Sequence, residues 1–138
     1  MDSAKALYWF KQSAQHGYAE AQIIRGLMCD NNKDFNAALR WYKKAAEQGQ
    51  AEAQFICGCK FYRGEGTVID HVKALRWYEK AAEQDHADAQ FYCGTMYLNG
   101  EGTAVDKDKA RHWFEKAAEQ TEEEQIQQKA QEILREQF

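Results

Sequence analysis

The chain has 138 residues, a formal net charge of -4 and no proline. A chain of this length suits one domain, and its acidic balance disfavours binding along a nucleic-acid phosphate backbone. Val, Ile and Thr number only 13 against 21 Ala. Because β-branched residues pack best on a pleated sheet, the composition predicts an all-α protein. No apolar run approaches the roughly 20 residues of a membrane-spanning helix, so no membrane partner is expected.

Tryptophan marks a repeat along the chain, with spacings of 32, 36 and 36 residues. The four positions are Trp9, Trp41, Trp77 and Trp113. Each lies in a similar segment, block B, of which Lys73–Gln84 is one copy. A second segment, block A, lies between these copies and is exemplified by Ala51–Gly58. In both blocks the apolar residues recur at helical spacing, which predicts one amphipathic helix for each block.

The two blocks predict about eight helices that form a single domain over residues 1–138. In chain order they are a lone B helix in 1–17, full A–B pairs in 18–49, 50–85 and 86–121, and a capping helix in 122–138. Antiparallel helix pairs that repeat every ~36 residues predict an α-solenoid, because one pair cannot bury its own apolar face.

Glycine and aspartate mark the ends of the predicted helices. Gly64 and Gly100 follow A helices, where a left-handed residue commonly ends a helix. Asp70 and Asp106 precede B helices and are suited to cap them. The segment between each glycine and aspartate therefore predicts a short helix–helix link.

Several motifs recur in register from residue 4 to about residue 121. They are Ala-x-Ala-Gln, a glycine followed three residues later by an aromatic, Gly-Glu-Gly, and Trp-aromatic-x-Lys-Ala-Ala-Glu-Gln. Together they resemble the Sel-one-like repeats, which are relatives of the tetratricopeptide repeats. The resemblance implies a right-handed superhelix whose A helices line the concave side. Unit 18–49 departs from the pattern because it is four residues short and has no Gly-x-Gly link.

No motif predicts catalysis, a cofactor or a metal site. Cys57 and Cys93 hold the same position in successive units and are interpreted as small core residues. Neither they nor Cys29 and Cys59 form a Cys-x-x-Cys pair, and the histidines are interpreted as surface residues. The segment Asp30–Asp34 has the spacing of a calcium loop but lacks its glycine and its final glutamate.

The A-helix residues that helix pairing leaves free are the candidate partner-binding site. We call this predicted concave set the A-helix stripe. Its members are Glu20, Leu27, Glu52, Phe55, Cys59, Tyr62, Asp88, Phe91, Thr95 and Leu98, with Arg63 and Tyr92 beside them. An apolar groove with an acidic rim suits a peptide or helix that carries basic and apolar side chains. The alternative, in which Phe55 and Phe91 only pack the repeats together, stays open.

Three functional hypotheses follow. The first is a non-catalytic adaptor or scaffold that binds a peptide or protein partner in the concave groove, which the resemblance favours. The second is a bacterial immunity or inhibitor protein that neutralises a toxin or effector, because a small acidic protein can fill a basic cleft. The third is a thiol-dependent hydrolase.

The N-terminal residues lack the basic and then apolar pattern of a secretory signal. Reduced thiols also suit a reducing compartment, so a cytoplasmic location is expected. A periplasmic or secreted location is expected instead if the chain is part of a longer precursor. A lone B helix leaves one side of Trp9 without a partner helix, so we expect either a monomer or weak self-association through residues 4–14.

Overall fold

The computed structural model describes residues 18–120 and 124–138, and these contain seven α-helices and no strand. The helices are α1 (Ala19–Asn31), α2 (Phe35–Glu47), α3 (Ala51–Arg63), α4 (His71–Glu83), α5 (Ala87–Asn99), α6 (Lys107–Gln120) and α7 (Glu124–Gln137). The predicted all-α solenoid is confirmed, and seven described helices are close to the predicted eight. The predicted helix in 1–17 lies outside the described residues.

Each helix packs chiefly against its neighbours in the chain, which is the arrangement of a solenoid. The A helices are α1, α3 and α5, the B helices are α2, α4 and α6, and α7 packs against α6 and also contacts α5. Among residues 18–120 and 124–138, no helix has both the length and the apolar content that crossing a bilayer requires.

The predicted helix ends are confirmed. Gly64 and Gly100 follow α3 and α5 with φ of 74° and 70°, and each donates its N–H to a carbonyl of the preceding turn. Asp70 caps α4 by accepting from the N–H of Lys73 at 3.0 Å. Asp106 accepts from the N–H of Lys109 at 3.1 Å in the same way. These local interactions fix where each B helix begins.

The helices of each pair approach closely because a glycine of the A helix lies against an aromatic ring of the B helix. The contacts pair Gly26 with Tyr42, Gly58 with Tyr78, and Gly94 with Phe114. A Cβ atom at Gly58 would lie only 2.6 Å from the Tyr78 ring, so no larger residue fits without displacement. The small residues that recur in block A are therefore a requirement of helix packing.

Buried glutamines join one repeat to the next. Gln54 of α3 donates its side-chain amide to the carbonyl of Ala46 in the last turn of α2, at 3.2 Å. Gln90 of α5 makes the same bond to Ala82 of α4, at 3.0 Å. The backbone N–H groups of Gly49 and Asp85 also bond these carbonyls, at 3.0 and 3.1 Å, so each glutamine adds a second bond at the end of a helix and links that helix to the next repeat.

The cysteine prediction is confirmed, whereas the tryptophans that mark the repeat are only partly buried. Cys57 and Cys93 have no exposed surface. Trp41 and Trp77 are half-buried, and the ammonium groups of Lys44 and Lys80 lie 4.6 and 4.7 Å from their ring centroids. Each tryptophan adjoins a buried tyrosine in the sequence and is turned about 100° from it around the helix. It therefore lies at the margin of the packed face.

Candidate functional site

The A-helix stripe lies outside the core. Four of its twelve residues, Glu20, Leu27, Glu52 and Arg63, are exposed, and the other eight are half-buried. Two clefts of the described surface include seven of the twelve, and both are lined by Phe55 and Tyr92. The helical spacing of the stripe therefore brings most of its residues to one connected surface of α1, α3 and α5.

The first of these clefts, which we call the α7 cleft, has a volume of about 230 Å³. Its lining residues are Phe55, Asp88, Phe91, Tyr92, Ile126 and Lys129. The last two belong to α7, which was predicted from the sequence only to cap the final repeat. That helix also forms one side of the cleft, so a ligand there would contact both the repeats and the C-terminal helix.

The second, the Lys60 cleft, has a volume of about 290 Å³. It is lined by Leu27, Asp30, Tyr42, Phe55, Ile56, Cys59, Lys60, Arg63, Glu65 and Tyr92. Apolar and aromatic side chains alternate there with two carboxylates and two cations. The formal charge of this lining is zero, so the cleft is less acidic than the stripe as a whole.

Phe55 and Tyr92 form part of an aromatic cluster between repeats. The centroid of Phe55 lies 5.7 Å from that of Tyr78 and 5.8 Å from that of Tyr92, and the rings of Tyr78 and Tyr92 stack at 5.3 Å. Phe91 meets Phe114 edge-to-face at 5.5 Å. Phe55 therefore packs one repeat against the next, whereas Phe91 packs within its own repeat, and both also present a half-buried surface to the clefts.

His86 links α5 to α3, a contact that was not predicted from the sequence. Its Nδ1 accepts from the N–H of Ala89 at 3.2 Å and caps α5, so its Nε2 carries the proton and donates to Glu52 at 2.8 Å. The ring also stacks on Phe55 at 4.7 Å. The available signal was its position, because His86 immediately precedes the Ala-x-Ala-Gln that starts α5.

A buried lysine organises the Lys60 cleft and was also missed. The Lys60 side chain is 7% exposed, and its Nζ lies 2.7 Å from Asp30 and 2.8 Å from Glu65. The other Asp30 oxygen accepts from the hydroxyl of Tyr42 at 2.8 Å. Burial opposes the charge of Lys60, but its hydrogen bonds to the two carboxylates outweigh burial and raise its pKa.

The remaining stripe residues lie outside the two clefts. Tyr62 donates its hydroxyl to Glu101, and this bond together with burial raises the pKa of Tyr62 to about 12. The Tyr62 ring stacks on His71 at 4.6 Å. Thr95 donates its hydroxyl to the carbonyl of Phe91 at 3.1 Å. Leu98 packs against the core, and Glu20 is exposed on the first turn of α1.

The four cysteines are unpaired thiols. Burial raises the pKa of Cys57 to about 12 and raises that of Cys93 as well. Burial also raises the pKa of the half-buried Cys59, which lines the Lys60 cleft and accepts from the hydroxyl of Tyr78 at 3.3 Å. Within residues 18–120 and 124–138, no group of three His, Cys, Asp or Glu side chains is placed to hold a metal ion.

The paired helices, their tight glycine–aromatic contacts and the glutamine bonds between units define a helical-repeat solenoid. The Sel1 repeat family model matches four segments, residues 2–18, 25–50, 51–86 and 87–122. The matches cover most of the chain, which therefore belongs to the Sel1 repeat family. Members of this family are generally scaffolds for protein interaction, and their fold is typically non-catalytic.

Solved structures carry the same fold. The chain is 36% identical, with a TM-score of 0.81 over 86% of its length, to c5321, a protective antigen of uropathogenic Escherichia coli strains with an SLR fold. It is 33% identical, with a TM-score of 0.80 over 86% of its length, to a Sel1 repeat protein from Oxalobacter formigenes. The chain spans 26% of the first protein and 36% of the second.

A third structure, Helicobacter pylori cysteine rich protein B, has a TM-score of 0.69 and an identity of 20%. The alignment covers 87% of the present chain and 89% of that protein. At this identity the similarity supports the fold alone. No curated protein matches the chain.

Proposed function

We propose that the protein is a non-catalytic interaction module that binds a peptide or an exposed protein segment across the α7 cleft and the Lys60 cleft. The observation that supports this proposal is the shared wall of the two clefts. Phe55 and Tyr92 line both, so a continuous ligand can contact α1, α3, α5 and α7 at once. A preformed surface of half-buried aromatic side chains suits binding with little change in the scaffold.

The lining suggests the chemistry of the partner. Phe55, Phe91 and Tyr92 offer an apolar surface for an aliphatic or aromatic anchor. Asp88 lies beside them, and Glu52 is exposed at the first turn of α3. In the Lys60 cleft both carboxylates already bind Lys60. We therefore propose an apolar anchor at Phe55 and Phe91, with a basic side chain of the partner directed at Asp88.

The thiols support the proposal that the protein has no catalysis of its own. A thiol nucleophile acts as the thiolate, and burial raises the pKa of Cys57, Cys59 and Cys93. At neutral pH these groups are therefore protonated and weakly reactive. Alkylation of the protein should accordingly leave partner binding unchanged unless the reagent reaches Cys59 in the Lys60 cleft.

The test compares one double variant with a control variant. Partners captured from the native lysate are identified by mass spectrometry, and the affinity of each is measured by titration calorimetry. Phe55→Ala combined with Phe91→Ala should weaken a true partner roughly 30-fold or more, the loss expected for a binding hot spot. Val105→Ala, at an exposed link residue, serves as the control. Unchanged affinity in a folded Phe55→Ala, Phe91→Ala protein would show that these clefts are not the binding site.

We also propose a cytoplasmic location and a monomeric state, or weak self-association through residues 4–14. Fractionation of cells that express the full-length native gene tests the location. Sedimentation velocity over a range of concentrations tests the second proposal, since self-association through that segment should disappear when Trp9 and Phe10 are replaced by polar residues.

A further inference from the structure

A third cleft opens on the B-helix side, away from the A-helix stripe. It lies between α2 and α4 over a side chain of α3, and its volume is about 330 Å³. We call it the basic cleft; its lining residues are Lys43, Glu47, Phe61, Lys73, Arg76, Trp77 and Lys80. None of these residues belongs to the predicted stripe or to the two clefts of the proposed function.

The basic cleft concentrates positive charge in an acidic protein. Four cations and one carboxylate line it, a formal charge of +3 in a chain whose total is -4. In the part of the chain that the structure describes, none of the four cations lies within the 4.0 Å of a carboxylate that defines an ion pair. Lys60 differs, because two carboxylates neutralise it. The four charges are therefore available to a ligand.

An apolar surface accompanies these charges. Trp77 is half-buried, and Phe61 forms the floor of the cleft. The ammonium of Lys80 lies 4.7 Å from the centroid of the Trp77 ring, and that of Lys73 lies 5.5 Å from the centroid of Phe61. A ligand that brought both a carboxylate and an apolar side chain would contact the lysine heads and the aromatic surfaces together.

The same positions in the next repeat do not carry this charge. Residues 36 positions further on are Glu79, Glu83, Tyr97, Lys109, His112, Trp113 and Lys116. Lys43 is thus replaced by Glu79, which accepts a hydrogen bond from the hydroxyl of Tyr97. With histidine neutral, the formal charge of that set is zero. The positive charge of the basic cleft is therefore not a property of every repeat pair.

We propose that the basic cleft docks an acidic segment of a partner protein, with one apolar side chain on Trp77 and carboxylates on Lys43, Lys73 and Arg76. The guanidinium of Arg76 matches a carboxylate in bidentate geometry. A protein segment fits better than a nucleic acid or an anionic membrane for two reasons. The net charge of -4 repels an extended polyanion, and the apolar floor has no counterpart on a phosphate backbone.

The probe is a fluorescein-labelled peptide with the core Asp-Glu-Leu-Glu-Asp, compared with the amide peptide Asn-Gln-Leu-Gln-Asn. Fluorescence anisotropy at low ionic strength measures the affinity of each. Lys73→Glu and Lys109→Glu form a matched pair, because both lysines are exposed, follow an aspartate cap and lie 5.5 and 5.3 Å from an aromatic ring centroid. Only Lys73 belongs to the basic cleft.

The acidic peptide should bind and the amide peptide should not. A single exposed ion pair changes an affinity by up to about fivefold, and charge reversal adds repulsion, so Lys73→Glu should weaken binding about fivefold or more. Lys43→Glu should do the same, whereas Lys109→Glu should change it less than about twofold. Phe55→Ala with Phe91→Ala should leave this binding unchanged, which separates the inference from the proposed function.

Several results would overturn the inference. Equal binding of the two peptides, or no binding of either, would show that the cleft does not recognise carboxylates. Equal losses in Lys73→Glu and Lys109→Glu would indicate general attraction to the surface. Tighter binding of a single-stranded oligonucleotide or of phosphatidylserine vesicles would make the cleft a phosphate site. Self-association in sedimentation velocity that Lys43→Glu abolishes would make a second copy of this chain the occupant.

Discussion

Replacing Lys60 with methionine tests whether the buried network stabilises the fold. The side chain is 7% exposed and its Nζ contacts Asp30 and Glu65 at 2.7 and 2.8 Å. Methionine keeps much of the aliphatic stem, and the next repeat already has Met96 at this position, 1% exposed. The substitution therefore removes a charge without opening a large cavity.

The expected cost lies between those of exposed and buried ion pairs. Removing one partner of a fully buried pair costs about 3–5 kcal/mol, whereas exposed pairs contribute about 0–1 kcal/mol. The Asp30 and Glu65 side chains are 22% and 37% exposed, so water can partly solvate them once the cation is gone. Asp30 also keeps the hydrogen bond that it accepts from the hydroxyl of Tyr42. We therefore expect Lys60→Met to lower the free energy of unfolding by about 2 kcal/mol.

Urea unfolding followed by circular dichroism measures this change, with a double-mutant cycle to isolate the pair. The cycle uses Lys60→Met, Asp30→Asn and both together, since asparagine can still accept from Tyr42. The double variant should be about 1 kcal/mol more stable than the sum of the single losses implies. Wild-type stability of Lys60→Met, or a coupling energy of zero, would refute the argument that the contacts stabilise the fold.

Three further substitutions test other contacts. Gly58→Ala should lower the free energy of unfolding, measured with urea, by about 1–3 kcal/mol, because its Cβ would lie 2.6 Å from the Tyr78 ring. A stability equal to wild type would contradict this packing. Trp77→Ala should lower the free energy of unfolding by about 2 kcal/mol, less than the ~3–5 kcal/mol expected for a fully buried tryptophan, because the ring is half-buried. A loss in the larger range would mean that Trp77 is a core residue. Folding raises the pKa of Tyr62 from 10.0 to about 12, so the unfolded chain loses this proton first and stability falls as pH rises from 10 to 12. The melting temperature of Tyr62→Phe should therefore fall less than that of wild type across this window, and parallel curves would contradict the assignment.

Local sequence signals predicted the helix ends because the responsible contacts lie within a few residues. Asp70 caps the N–H of Lys73, three positions away, and Gly64 ends α3 through its own φ of 74°. The glycine that faces Tyr78 was predictable for a related reason, since α1, α3 and α5 each carry a glycine at the position of Gly58. These features need only the identity of a residue and its position within its own helix.

Contacts between repeats were not predictable in the same way. Lys60 and Asp30 are 30 residues apart and lie on different helices, so their contact depends on how α1 and α3 pack. The α7 cleft likewise depends on where Ile126 and Lys129 fall when α7 packs beside α5. Helical spacing placed Phe55 and Phe91 on one side of the A helices. It did not show that they also pack against other rings, Phe55 across a repeat junction and Phe91 within its own repeat.

In a repeat protein, equivalent positions of successive repeats can be compared. The comparison distinguishes residues that packing requires from residues that are free to serve recognition. The glutamine that bonds the preceding helix recurs as Gln54 and Gln90, because both junctions place the same helix-end carbonyl beside it. Lys43 has no such constraint, and the next repeat has Glu79 at that position. A position that can hold either charge is not needed for stacking, so its charge is free to serve recognition. Replacing Lys43 with glutamate should therefore preserve the fold while removing positive charge from the basic cleft, and peptide affinity should fall while the melting temperature stays within a few degrees of wild type.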